Sequence, residues 1–64
     1  MSNSREMKMN QLNECVKVWE VTLAEAAKEL VFMFYEAAGF YPEQLVKEFE
    51  KKTDAEFIEM YLAL

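Results

Sequence analysis

Nine apolar residues stand at unbroken 3,4 spacing through the first two-thirds of the chain: Met9, Leu12, Val16, Trp19, Leu23, Ala26, Leu30, Met33 and Ala37. Residues spaced three and four apart share one side of a helix. No glycine or proline precedes Gly39, so the spacing predicts one continuous helix over about 5–38, behind a flexible tail at 1–4 in which Ser2 or Ser4 can cap it. With Met9 at heptad position a, Val16, Leu23, Leu30 and Ala37 also fall at a, and Leu12, Trp19, Ala26 and Met33 at d. The two halves differ on their other sides. Asn10, Gln11, Asn13, Glu14, Lys17 and Glu20 make the first half amphipathic, whereas LVFMFY at 30–35 is apolar all round and is expected to be surrounded by protein.

One stretch resists this reading. CVKVWEVT at 15–22 is rich in β-branched residues of poor helix propensity. Thr22 with Glu25 also has the spacing of a capping box. A break there gives four helices, and a short strand is the other alternative. The apolar register crosses Thr22 without a skip, which favours continuity.

Gly39 suits the left-handed position that ends a helix, with Phe40 as the apolar residue folding back on it. Pro42 fits the first position of the next helix, expected at about 42–51 with Leu45, Val46 and Phe49 inward. Thr53 and Glu56 form a capping box for a third helix at about 54–63, with Phe57, Ile58, Tyr61 and Leu62 on its apolar side. The fold class is therefore all-α, one small domain over 5–64, with two short helices folded back on a long one.

Sixty-four residues give a folded surface of roughly 4,300 Å² against roughly 11,000 Å² extended, a marginal burial for a monomer. Cys15 is the one cysteine and there is no histidine, so neither an internal disulfide nor a histidine or zinc-type metal site is expected. Helix packing or oligomerisation must supply the stability. No signal-peptide pattern or membrane span is read, and with a lone thiol the expected location is the cytoplasm.

A continuous helix would be roughly 50 Å long, and two short helices would cover about half of it. The stripe Met9, Leu12, Val16, Trp19 and Leu23 would then face water, although burying such side chains is worth about 1.5–3 kcal/mol each. These five residues are therefore the expected interface, for self-association into a dimer and for a protein partner, with Trp19 as anchor. An intrachain kink near Val21–Thr22 is the alternative. Net charge is −5 and grows toward the C-terminal end. Glu48, Glu50, Asp54, Glu56 and Glu59 form the expected acidic surface, interspersed with Lys47, Lys51 and Lys52.

No catalytic residue, cofactor site or phosphate-binding glycine loop is identified, so no enzyme is expected. The expected function is a small acidic interaction module, a regulator or inhibitor that binds a protein partner. Small acidic proteins of this kind are common among phage and mobile-element regulators. An acidic nucleic-acid mimic is one alternative, and a DNA-binding regulator is the other. The helices at 42–51 and 54–63 have helix-turn-helix spacing, yet DAEFIEMYLAL carries three acids and no base. CVKVWEV followed by TLAEAAKEL has the order of a ribbon-helix-helix, and VTLAEAAKEL resembles the opening of excisionase-type winged-helix domains. Each likeness covers about a dozen residues, and VFMFY stands where such folds turn on glycine. The chain is assigned to neither family, and nucleic acid is not an expected partner.

Overall fold

The helix expected over 5–38 is two helices, and the division falls inside the β-branched run. The computed structural model describes residues 4–64, with α1 at Ser4–Trp19, α2 at Leu23–Ala37, α3 at Pro42–Phe49 and α4 at Asp54–Leu62. Ser4 already belongs to α1; the rest of the expected tail, Ser2 included, lies outside the described residues. Among the described residues there is no strand, so the β-branched stretch is helix and corner rather than ribbon.

The break is a helix-ending turn without glycine. Glu20 takes φ 55°, the left-handed region, and the Val21 amide donates back to the Val16 carbonyl at 3.4 Å. That bond spans the same interval as the outer bond of a Schellman turn, and its apolar pair, Val16 and Val21, packs against the core. Thr22 then opens α2: its Oγ1 accepts from the Glu25 amide at 3.2 Å and donates to the Glu25 carboxylate at 3.0 Å. A left-handed L-residue costs about 1–2 kcal/mol. Bringing Leu12 into the core offsets this, since its side chain is fully buried. The molecule measures 35 × 28 × 19 Å, too short for a straight rod of 34 residues.

At the second corner glycine does what was expected of it. Gly39 has φ 99°, its amide donates to Glu36 at 3.0 Å, and the Phe40 amide donates to Tyr35 at 3.1 Å. The Tyr35 and Phe40 rings meet edge to face at 5.3 Å, which completes the Schellman turn with its apolar pair. Pro42 occupies the first turn of α3. Thr53 and Glu56 form the expected capping box, with bonds of 3.1 and 3.2 Å.

The core joins Leu12 of α1, Ala26, Ala27 and Val31 of α2, and Phe57 and Tyr61 of α4. Two adjacent alanines let the neighbouring helices approach α2 closely. Helix α4 packs on α2 and α1, while α3 packs on α2 and meets α4 in a ring contact. That ring is Phe49, which contacts Phe32, Tyr35 and Phe57 at centroid distances of 6.0, 6.1 and 5.3 Å.

The apolar run LVFMFY is not enclosed as expected. Val31 is buried and Leu30, Phe32 and Tyr35 are half-buried, but Met33 and Phe34 face water. Helix α1 folds back to provide cover that the two short helices were expected to provide, and eight-residue α3 does not screen the rest.

Candidate functional site

Folding α1 back changes which apolar side chains remain available. Of the five residues expected to meet a partner, Leu12 is wholly inside, and Met9, Val16 and Leu23 are half-buried against the core. Trp19, the last residue of α1, keeps 40% of its surface exposed. The stripe is therefore not one continuous outward face.

A different apolar surface stands at the opposite end of α2. Met33 is 54% exposed, Phe34 51%, Phe40 50% and Tyr41 69%. Two of them are linked through Tyr35: Phe34 meets Tyr35 edge to face at 5.7 Å, and Tyr35 meets Phe40 at 5.3 Å. The Gly39 turn holds Phe40 in place, because the Phe40 amide is tied to the Tyr35 carbonyl. Tyr41 caps the start of α3 in an extended conformation. Val46 is half-exposed and lies one turn beyond Pro42 on the same side of α3.

Beside this corner a groove of about 660 Å³ runs between α2, α3 and α4. Tyr35, Phe40, Leu45, Phe49 and Met60 supply its apolar walls, and Gln44, Lys47, Glu48 and Lys52 its polar edge. Its composition suits an apolar side chain entering from outside. Neither the groove nor the corner was singled out from the sequence. The signal lay in the surplus of aromatic residues at 32–41, more than one short helix can cover.

The acids do not gather into one unopposed face. Glu59 is paired with Arg5 at 2.7 Å across α1 and α4. Glu56 is committed to the α4 cap, where bonds from the Thr53 amide and hydroxyl side hold its carboxyl below the ordinary glutamate range. Asp54 lies in the same first turn, where negative charge favours the helix end. Glu48 and Glu50 share their neighbourhood in the chain with Lys47, Lys51 and Lys52.

Helix α4 is placed as a packing helix. Phe57 and Tyr61 are buried, the Tyr61 hydroxyl donates to Gln11 at 3.2 Å, and Lys8 and Lys28 lie over the Tyr61 and Phe57 rings at 5.7 and 5.0 Å. Burial raises the Tyr61 pKa, with a smaller contribution from Cys15. Among the described residues no group of histidine, cysteine, aspartate or glutamate side chains has metal-holding geometry. No helix among them is long and apolar enough to cross a membrane. No known family, curated protein or solved structure matches the chain.

Proposed function

We propose that the chain is a small acidic helical interaction module, a regulator or inhibitor that acts by seating apolar side chains on a protein partner. The observation that carries this reading is the aromatic corner, where Phe34 and Phe40 flank Tyr35 in ring contact and each leaves half its surface uncovered. Half of two such rings and of Tyr41 is roughly 300 Å² of apolar surface. Patches of that order on small proteins are often contact sites. Rigid aromatic side chains also make effective anchors, having few rotatable bonds to immobilise on binding. Compared with the stripe read from the sequence, the anchor moves from Trp19 to Phe34 and Phe40, because Leu12 lies in the core.

The double variant Phe34→Glu, Phe40→Glu tests the reading. Wild type should capture a protein partner from cells that produce the chain, and the variant should lose it while keeping its helix content. Equal capture by both proteins would overturn it. Duplex DNA at low salt should not bind, since α4 carries Asp54, Glu56 and Glu59 and no base.

A further inference from the structure

We propose that the partner seated on the α2–α3 corner is a second copy of the same chain, paired face to itself through Phe34, Phe40, Tyr41 and Val46. This rests on the interaction-module reading and names its partner. Charge distribution is the first support. Residues 40–52 hold Glu43, Glu48 and Glu50 against Lys47, Lys51 and Lys52, a net charge of zero in a chain of net −5. Residues 20–39 hold four acids and one base, and residues 53–64 three acids and no base, so each of those segments carries −3. A twofold contact sets a surface against its own image. Of these three segments, only the one around α3, which holds Phe40, Tyr41 and Val46, brings no net like charge to that image. Mixed signs there also let the lysines of one copy face the glutamates of the other.

Area is the second support. The exposed halves of Phe34, Phe40, Tyr41, Met33 and Val46 sum to roughly 500 Å² of apolar surface, against roughly 800 Å² per partner in a standard interface. The polar side chains of α3 extend the contact toward that size. Such an interface is at the weak end, with Kd on the order of tens to hundreds of micromolar. The groove beside α3 shares Phe40 with the same contact and is lined by Lys47, Glu48 and Lys52 as well.

Sedimentation equilibrium of the full chain at physiological salt, from micromolar to millimolar concentration, tests this. The weight-average mass should rise from 7.6 kDa toward twice that value. Val46→Glu and Phe40→Glu, both at half-exposed positions, should keep wild-type circular dichroism and weaken pairing at least tenfold. Trp19→Glu on α1 should dimerise like wild type. A wild type that stays at 7.6 kDa throughout would overturn the self-pairing, while partner capture by Phe34 and Phe40 would still stand or fall on its own experiment. A dimer lost in Trp19→Glu but kept in Val46→Glu and Phe40→Glu would also overturn it, placing the contact on the α1 stripe.

Discussion

The Phe49 ring stands edge-on to the Phe57 ring, with centroids 5.3 Å apart and planes at 89°. Through this contact the end of α3 touches the buried centre of α4. The same ring also meets Phe32 and Tyr35. Removing it takes away this contact of α3 with α4 and part of its attachment to α2. Phe49→Ala should cost about 2–3 kcal/mol, below the full range for a wholly buried phenylalanine because Phe49 is half-buried. Urea unfolding measures this, and near-ultraviolet circular dichroism should lose its aromatic signal in step. A loss under about 1 kcal/mol would show that α3 is held by other contacts.

Glu20 carries a strain that glycine would not. Its φ of 55° is unfavourable for an L-residue, and no other described non-glycine residue has positive φ. Glu20→Gly should therefore raise stability by about 1 kcal/mol, while Glu20→Ala keeps the strain and should gain nothing. Equal stability of the two variants in urea would show that the strain is absorbed elsewhere.

The α4 cap should make stability depend on acid. Bonds from Thr53 lower the Glu56 pKa below its unfolded value, so the contribution is fully present above the unfolded pKa of about 4.3 and is lost as pH falls through the folded value. Glu56→Gln keeps an oxygen for the Thr53 amide but cannot titrate. The variant should show a flatter melting-temperature profile between about pH 5 and pH 3. Matching profiles for variant and wild type would place the acid sensitivity on other carboxylates.

Tyr61 works in the opposite sense. Burial raises its pKa, so its neutral form stabilises the fold fully below the unfolded value of about 10, and this is lost as pH rises through the folded value. Tyr61→Phe loses the 3.2 Å bond to Gln11, at a cost of about 0.5–1.5 kcal/mol at neutral pH. It should also unfold less readily in alkali than wild type relative to its own neutral stability. Fluorescence-monitored melts from neutral pH to about pH 11 measure the difference.

By contrast, the pair between Arg5 and Glu59 should matter little. It is short, at 2.7 Å, but both side chains are more than half exposed. Solvent and salt screen such exposed pairs strongly, so their net contribution is small. Exchanging the two residues, Arg5→Glu with Glu59→Arg, should leave the melting temperature within a few degrees of wild type.

Much of the fold was legible because each corner but one carries its own local chemistry. Gly39, Phe40 and Pro42 define the second corner, and Thr53 with Glu56 defines the third, so the starts of α3 and α4 coincide with expectation and their ends fall one or two residues early. The first corner is harder to read because its left-handed position is filled by Glu20, which leaves no glycine to see. The Thr22–Glu25 cap was visible there, but the apolar register ran straight across it. Val16 and Leu23 keep that register because both pack against one core from opposite sides of the bend, an arrangement that spacing alone does not separate from a straight helix. The bend carries through to the surface: a straight helix exposes Leu12, whereas a bent one encloses Leu12 and leaves Phe34 in water.

The bend at Glu20 also bears on how such a chain can change over generations. Its corner depends on three residues, and the greasy side chains before and after it stay in phase. Glu20 and Thr22 do not pack against the core, so exchanges there that favour an unbroken helix would leave the inward-facing residues unaltered. Hairpin and rod are thus close neighbours in sequence space, and a lineage could move between a self-contained molecule and an intertwined one without first rebuilding its interior.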